Sequence, residues 1–286
     1  MTETTGPSSQ QAFSARGCTA VITGASSGLG AEFARQLAPQ AKCLILASRS
    51  AAPMEALTKE LQSHAGLQVL VCPCDLATDE GRTTLWQKID TAGLKVNLLI
   101  NNAGLGDYGP FAEAALGRVR QQIDLNITAL TLLSHAFLSR VRGAKIRPAG
   151  ILNVSSLASA MPIPELSVYA ATKSYVLSLS EGLRMELLAE SIHVAALCPG
   201  PTPTNFGKTA QRNGKDIDRT AQNFIVVAPE RVVADGLRAL ERGKAAVFPG
   251  ARVALVATVM RILPRPLMRF LIGFRRSQGA GDPRKA

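Results

Sequence analysis

The stretch Thr19-Ala-Val-Ile-Thr-Gly-Ala-Ser-Ser-Gly-Leu-Gly-Ala-Glu-Phe-Ala-Arg-Gln-Leu37 decides the fold. A short apolar run leads into three glycines, and a helical pattern of apolar residues follows at once. Glycine permits a tight turn between strand and helix, and the first N–H groups of a helix, at the positive end of its dipole, bind phosphate groups. The stretch therefore predicts a strand, a glycine turn and a helix that together hold a nucleotide.

Strand-like and helix-like segments alternate along the chain. The predicted strands are 19–23, 42–47, 68–71, 96–100, 151–155, 193–197 and 245–248, and the predicted helices are 28–37, 54–63, 79–90, 118–141, 169–189 and 229–241. Short apolar strands joined by helices are typical of a mostly parallel sheet covered on both faces, with right-handed crossovers. The sequence thus predicts an α/β, Rossmann-type, doubly wound fold of seven strands, with ligands beyond the carboxyl ends of the strands.

Composition favours one globular domain. The chain has 286 residues, 47% hydrophobic and 19% charged, and no linker rich in Pro, Gly or Ser divides its periodic segments. We expect a flexible leader over 1–16, a catalytic domain over 17–250 and a basic C-terminal extension over 251–286 with a disordered end from Ser277. The apolar run at 253–260 is far shorter than the roughly 20 residues of a membrane-spanning helix.

Cysteines and histidines predict neither a metal site nor a hydrolase. An odd number of cysteines scattered through strand-like segments favours buried, reduced thiols and a cytoplasmic protein. These cysteines are Cys18, Cys43, Cys72, Cys74 and Cys198. Cys72-Pro-Cys74 lacks a second ligand pair at metal-binding spacing, and the three histidines lie far apart with no Ser-His-acid arrangement.

Positive charge is concentrated at the C-terminal end. From Arg252 onward there are eight Arg or Lys and one Asp, which leaves +4 of the total +11 for the rest of the chain and no basic helix for nucleic acid. Arg261, Arg265 and Arg269 recur every four residues among apolar side chains. Two arrangements fit: a helix that packs across the pocket mouth or a partner subunit with its arginines in water, which we favour, or a helix that lies on an anionic membrane.

Tyr169-Ala-Ala-Thr-Lys173, thirteen residues after Ser156, carries the chemistry. A tyrosine and a lysine four apart share one face of a helix, so the ammonium can lie beside the phenol and favour its ionised form. An ordinary phenol titrates near about 10, too high for easy proton exchange at neutral pH. We therefore expect Lys173 to lower the pKa of Tyr169 and Ser156 to supply a second hydrogen bond, while alternation along the strand points Ser155 to the other face.

These motifs together resemble the short-chain dehydrogenase/reductase family, classical type, over about residues 17 to 250. The resemblance rests on residues 23–30 and 101–104, Asn126, Ser156, Tyr169, Lys173 and Pro199-Gly200. It implies an oxidoreductase that moves hydride between a nicotinamide cofactor and a carbonyl or alcohol. By the same resemblance Tyr169 is the general acid, Ser156 holds the carbonyl oxygen, Lys173 binds the nicotinamide ribose, and Asn126 orients a water for proton relay.

The resemblance also implies the residues that bind the cofactor. They are Gly24, Ser26, Ser27, Gly28, Leu29, Gly30, Ser48, Arg49, Asp75, Leu76, Asn102, Ala103, Gly104, Pro199, Gly200, Thr202 and Thr204, together with Tyr169 and Lys173. At the end of the second strand Arg49 stands where an acidic residue would favour NAD, so NADP is preferred and NAD remains an alternative. Asp75 fits an adenine contact, with Leu76 packing on the ring, or else a helix cap.

Substrate and assembly are less specified by the sequence. Residues 105–111, 157–168 and 205–227 are expected to frame the pocket, and the first two are mainly apolar, which suggests a medium to lipophilic carbonyl compound. These apolar residues include Tyr108, Phe111, Met161, Ile163, Pro164 and Leu166. A homodimer or homotetramer through the two long helices is expected by resemblance. The alternatives are a non-catalytic, redox-sensing NADP-binding regulator and a membrane-peripheral lipid or acyl reductase.

Overall fold

A seven-stranded, wholly parallel sheet forms the centre of the computed structural model, which describes residues 11–212 and 225–270. The strands are β1 (Thr19–Thr23), β2 (Cys43–Ser48), β3 (Gln68–Pro73), β4 (Leu98–Asn101), β5 (Ala149–Val154), β6 (Ile192–Leu197) and β7 (Ala246–Val247). Their spatial order is β3-β2-β1-β4-β5-β6-β7. Strands β2 and β3 are added on one side of β1 and the later strands on the other side, so the strand order reverses between β1 and β4. A ligand crevice opens at this point in such sheets. The predicted doubly wound fold is confirmed.

Nine α-helices in the described residues join and cover the strands. They are α1 (Gly28–Leu37), α2 (Ala51–Leu61), α3 (Asp79–Thr91), α4 (Leu116–Ile123), α5 (Leu130–Gly143), α6 (Ser167–Leu187), α7 (Phe206–Ala210), α8 (Pro229–Glu241) and α9 (Ala251–Ile262). Helices α1, α2 and α8 pack on one face of the sheet, and α3, α5 and α6 on the other. Alternate residues of β1 serve the two faces: Ala20 and Ile22 enter the first core and Val21 enters the second.

The long helix predicted at 118–141 is interrupted. A π-helical turn over Asp124–Ala129 separates α4 from α5, and Asn126 lies within it, buried. Apolar periodicity continues through the turn, so the pattern alone gave no reason to expect a break. Single π-turns inside α-helices occur often at functional sites, because the extra residue changes where side chains point.

The leader extends less far than predicted. Phe13 and Ala15 are buried in the first core, and the Ala15 amide donates to the Glu241 carboxylate at 2.9 Å. The backbone carbonyl of Gln11 also lies 3.0 Å from the His193 ring. Residues 11–16 are therefore part of the packed body, since the burial of one aromatic side chain outweighs the polar character of its neighbours. Residues 1–10 and the end of the chain from 271 lie outside the described residues.

The five cysteines are free thiols and all are buried. Cys72 and Cys74 lie in the second core, and the Cys74 thiol donates to the Cys72 carbonyl at 3.5 Å. In the described part of the chain no helix is both long and apolar enough to cross a bilayer.

Candidate active site

The glycine turn after β1 is closed by its own neighbours. Gly24 and Gly28 have positive φ angles of 67° and 55°, which side chains rarely adopt. A Cβ on Gly30 would lie 2.1 Å from the Gly24 carbonyl oxygen, so α1 can approach the turn only without a side chain there. The first turn of α1 carries no acidic residue to compete for an anion. This cradle fits the diphosphate of a dinucleotide, because the N–H groups of the first helical turn and the positive helix end meet there.

Residues after β4 brace that turn. The Thr23 hydroxyl accepts from the Asn102 amide at 2.9 Å and from the Ala103 amide at 3.0 Å. The Asn102 side chain donates to the carbonyls of Thr23 and Gly24. Gly104 lies against the catalytic candidates, since a Cβ there would be 3.3 Å from the Lys173 Nζ. The segment thus joins the predicted nucleotide cradle to the predicted catalytic residues.

The end of β2 presents a free cation. Arg49 is exposed, and no salt bridge or hydrogen bond holds its guanidinium within the part of the chain that the structure describes. Ser48 donates through its hydroxyl to the Ser26 hydroxyl at 2.9 Å, which ties the end of β2 to the glycine turn. Ser27 is exposed and its side chain caps nothing. The position suits a phosphate group near the glycine turn, because a guanidinium offers several donors to one anion.

The end of β3 differs in part from expectation. Asp75 accepts through Oδ1 from the Ala77 amide at 3.0 Å, but the cap of α3 is Thr78, whose hydroxyl accepts from Gly81. The helix-cap interpretation of Asp75 is therefore wrong. Leu76 is buried in the second core, and the Arg82 guanidinium donates to its carbonyl. Its packing is with the protein, so in this structure little of its side chain remains for an adenine ring.

Ser156, Tyr169 and Lys173 converge at the carboxyl end of β5. Ser156 follows the strand and caps the short 3₁₀ turn Leu157–Ala160 by accepting from the Ala158 amide at 3.1 Å. The ammonium of Lys173 is buried and donates to the Val154 carbonyl at 2.9 Å. It lies 5.7 Å from the centre of the Tyr169 ring. Ser155 points away, as alternation predicts, and donates to the Lys173 carbonyl at 2.7 Å.

The pKa values of these groups follow burial more than charge. Burial raises the pKa of Tyr169 to about 12, and a hydrogen bond with Ser156 acts in the opposite direction. Burial also lowers the pKa of Lys173 to about 8. The predicted lowering of the tyrosine pKa by Lys173 is therefore not what the structure shows, because desolvation disfavours both charged forms. The phenol is held as a proton donor at neutral pH.

Asn126 has a different task from the one expected of its side chain. Its amide donates to the Leu105 carbonyl at 2.9 Å and to the Thr172 hydroxyl at 3.0 Å, and its Oδ1 accepts from the Leu105 amide at 2.8 Å. The side chain is thereby used to fix the loop after β4 against α6. A water relay through this side chain stays a prediction that would need one of these bonds to open.

The loop after β6 covers the glycine turn. The Pro199 carbonyl accepts from the Leu157 amide at 2.8 Å, and Gly200 packs closely under Val253 of α9. The Thr202 hydroxyl donates to the Gly200 carbonyl at 3.1 Å. A Cβ on Gly28 would lie 3.3 Å from the Cβ of Thr204, so Thr204 stands directly over the predicted diphosphate cradle.

Phe206, in the first turn of α7, is a pocket residue that the sequence did not single out. Its ring centre lies 5.4 Å from that of Tyr169 at an interplanar angle of 46°. Edge-tilted aromatic pairs of this kind are favourable. The predicted pocket segment 205–227 contains Phe206. The helical pattern there is only one turn long, so it does not predict that Phe206 packs against Tyr169. Residues 213–224 of that segment lie outside the described residues.

An ion-pair network holds α7 against the loop after β4. Asp107 is buried at 3% side-chain exposure, and its carboxylate pairs with the Arg212 guanidinium and lies 3.9 Å from Arg118. Arg118 donates to the carbonyls of Gly106 and Thr209, and the Tyr108 amide donates to the Ala210 carbonyl. Asp107 and Arg212 are 105 residues apart, so no local pattern could reveal the pair. The opposite rim is joined too, because the Gly109 amide donates to the Glu165 carbonyl.

With this geometry in place, comparison with known proteins assigns the family. The family described as short chain dehydrogenase matches residues 18–215. The chain belongs to the short-chain dehydrogenase family. A similar protein is dehydrogenase/reductase SDR family member 11 of Gallus gallus, 32% identical over 212 residues, which are 73% of this chain and 83% of the relative. The chain is thus an oxidoreductase of the short-chain dehydrogenase family.

Solved structures of similar proteins contain nicotinamide cofactors. A short-chain dehydrogenase from Sphingobium yanoikuyae in complex with NADPH is 28% identical, with a TM-score of 0.74 over 94% of this chain and 98% of its own. A 3-ketoacyl-(acyl-carrier-protein) reductase from Brucella melitensis complexed with NADH is 25% identical, with a TM-score of 0.73 over 84% of this chain and 100% of its own. A nicotinamide cofactor is supported for this short-chain dehydrogenase, while these two relatives differ in which one they hold.

Proposed function

We propose that this short-chain dehydrogenase is an NADP-preferring reductase of medium to lipophilic carbonyl compounds, which also oxidises the corresponding secondary alcohols. The observation that carries the proposal is the convergence of Ser156, Tyr169 and Lys173 beside a glycine cradle at the carboxyl edge of the sheet. A phenol, a hydroxyl and an ammonium so placed can protonate and hold one oxygen atom.

The chain's own residues supply the proton and the orientation. A nicotinamide cofactor held at the glycine turn and beside Lys173 would supply the hydride for the carbonyl carbon, or would accept it from the alcohol carbon. Tyr169 is protonated at neutral pH, and burial raises its pKa further, to about 12; it gives its proton to the carbonyl oxygen. Ser156 hydrogen-bonds to the same oxygen and so favours the charge that develops there. In alcohol oxidation the phenolate takes the proton back.

Lys173 compensates the phenolate left by that transfer. It is the cation that the fold brings to 5.7 Å from the Tyr169 ring. Its ammonium is buried and donates to the Val154 carbonyl, so the position of the charge is fixed. Water screens a buried charge only weakly. Gly104 keeps this region compact, since a Cβ there would lie 3.3 Å from the Lys173 Nζ and 3.5 Å from the Asn126 Oδ1.

Preference for NADP rests on Arg49. Its exposed guanidinium stands at the end of β2, close in the fold to Ser26 and Ser48, where it can pair with a ribose phosphate. The relative that binds NADPH is consistent with this, and the relative that binds NADH makes NAD the alternative.

Substrate class follows from the pocket walls. Phe206 covers Tyr169, and the described parts of the walls are mainly apolar, with Tyr108, Met161, Ile163 and Leu166 partly buried. Two of their charged members, Asp107 and Arg212, pair with each other. An apolar carbonyl compound, such as an alicyclic ketone or a β-keto acyl group, is the ligand class that such walls favour.

The test is a panel of aliphatic, aromatic, steroid and β-keto acyl carbonyls, with the absorbance of NADPH and NADH as readout. We expect NADPH-linked turnover of at least one lipophilic carbonyl, and its loss in Tyr169→Phe while NADPH still binds by fluorescence titration. Turnover that persists in Tyr169→Phe would contradict the assigned acid. NADPH binding without any turnover by the wild type would instead favour a redox-sensing regulator.

A further inference from the structure

Helix α9 carries apolar side chains on two opposite faces. Val253 and Ala257, four residues apart, are buried in the first core. Leu255, Val259 and Ile262 lie on the other side of the helix and are 65%, 47% and 77% exposed. Residues spaced by three and four form one stripe along a helix. The inner face of α9 fixes the helix to the body, and the outer face leaves an apolar stripe in solvent.

A further exposed apolar side chain follows the end of α9. Residues 265–270 are again helical, with Met268 buried and Leu267 45% exposed. We call Leu255, Val259, Ile262 and Leu267 the C-terminal apolar stripe. Scattered exposed apolar residues are normal on proteins, but a contiguous stripe of large aliphatic side chains marks a surface that contacts something.

Arginines border the stripe, and its own segment contributes no carboxylate. Residues 251–270 contain four Arg and neither Asp nor Glu. Arg265 and Arg269 are exposed, and Arg261 reaches Glu181 of α6 at 3.4 Å. Such long side chains can lay their methylene stems on an apolar layer while their guanidinium groups remain in a polar one. The stripe is therefore an amphipathic surface with positive borders.

We propose that the C-terminal apolar stripe lies on the surface of an anionic lipid bilayer. Aliphatic side chains then enter the boundary between headgroups and acyl chains, and the arginines contact acidic headgroups. A second copy of this chain is a poorer occupant. In a two-fold contact the same patch faces itself, so Arg265 and Arg269 would approach the arginines of the other copy, and the nearby Glu181 already pairs with Arg261.

The position of α9 gives the contact a consequence. The helix packs against the turn Leu157–Ala160, which directly follows Ser156, and Val253 covers Gly200. A bilayer against the outer face of α9 would therefore adjoin one wall of the pocket. Binding itself does not depend on the proposed reaction, and it is measured without substrate or cofactor.

Vesicle co-sedimentation of the full-length protein tests the proposal. We expect the protein to pellet with phosphatidylcholine vesicles that contain phosphatidylserine, to pellet much less with phosphatidylcholine alone, and to be released by high salt, which screens surface charge. Equal pelleting with both vesicle types, or with neither, would overturn the proposal.

Two double variants locate the contact. Leu255→Gln with Ile262→Gln removes apolar area from the stripe, and we expect partitioning to fall by more than about tenfold. Arg265→Gln with Arg269→Gln removes two charges, with an expected loss of about 30-fold. All four side chains are exposed, so folding should survive, which circular dichroism of each variant would check.

Matched controls are Met185→Gln, a similarly exposed apolar residue at 73%, and Lys59→Gln, an exposed basic residue on α2. Neither should change partitioning. Wild-type partitioning in both double variants would overturn the proposal. A lower mass by sedimentation velocity in the Leu255 and Ile262 double variant, with vesicle binding unchanged, would also overturn it. That result would assign the stripe to contact with a second copy of the chain.

Discussion

Phe206 lies against Tyr169, with 5.4 Å between the ring centres, so α7 forms the roof over the proposed proton donor. The same ring fills the space beside Gly106, where a Cβ would come within 2.9 Å of it. Phe206 therefore links α7 to two other parts of the site, the loop after β4 and the phenol of Tyr169.

Removal of this ring should change substrate preference. In Phe206→Ala, we expect the ratio of kcat/KM for a bulky ketone to that for a small ketone to rise by about tenfold, because a hydrophobic pocket discriminates by the volume it fills. The measurement is competition between two such ketones under NADPH, with cofactor affinity measured separately. Phe111→Ala is the matched control, since Phe111 is an aromatic residue that is 63% exposed on the loop after β4. An unchanged ratio in Phe206→Ala would show that the roof does not select substrates.

The Asp107–Arg212 pair should position that roof. Asp107→Asn leaves two guanidinium groups without their buried partner, so we expect KM for carbonyl substrates to rise while the Kd for NADPH stays near the wild-type value. We also expect the free energy of unfolding to fall by about 1–3 kcal/mol, because one side of the pair is buried and the other partly exposed.

A double-mutant cycle separates this pair from general destabilisation. Asp107→Asn combined with Arg212→Gln should lose less than the sum of the single variants. Arg142→Gln, which breaks an exposed pair with Glu190, is the control and should lose under about 1 kcal/mol. Strict additivity of Asp107→Asn and Arg212→Gln would mean that the two residues act independently.

Arg49 should decide between the two cofactors. Arg49→Asp replaces a cation with a group that repels a ribose phosphate and accepts from ribose hydroxyls, so the ratio of Kd for NADPH to Kd for NADH should rise by about 100-fold. Lys59→Asp makes the same charge change on α2 and should leave the ratio unaltered. Isothermal titration of both cofactors gives the two constants, and a constant ratio in Arg49→Asp would exclude the phosphate role.

Sequence patterns predicted what is local and periodic. The bounds of β1, α1 and α8 match the predicted segments residue for residue, because a strand, a glycine turn and an amphipathic helix each have a short-range signal. Ser156, Tyr169 and Lys173 were recognised by spacing along one strand and one helix.

What the sequence did not predict depends on contacts between distant segments. The π-turn at Asn126 is stabilised by Leu105 and Thr172, and the roof over Tyr169 by Asp107 and Arg212. The raised pKa of Tyr169 has the same origin. Its spacing from Lys173 predicts a cation nearby, but burial by the surrounding elements has the larger effect on the tyrosine pKa.

Lys173 should make the stability of the protein depend on pH in a distinctive way. Burial lowers its pKa from an ordinary 10.5 to about 8, so below pH 8 the folded state bears the full unfavourable free energy of a buried ammonium. Between about pH 8 and 10.5 the folded lysine is neutral while the unfolded one still holds its proton, so the unfolded state binds more protons and stability rises with pH.

The difference in unfolding free energy between the wild type and Lys173→Met isolates this effect. From pH 8 to 10 we expect the wild type to gain stability relative to Lys173→Met, with a slope that approaches about 1 kcal/mol per pH unit. Urea denaturation at each pH measures the two unfolding free energies. The raised pKa of Tyr169 lowers stability as pH rises above 10, which is the opposite sign, but both proteins contain Tyr169 and the difference largely removes it. Lys59→Met, at an exposed position, should give a flat difference. A flat difference for Lys173→Met as well would mean that its ammonium titrates near its ordinary value, and that the site keeps Lys173 charged in alkaline solution.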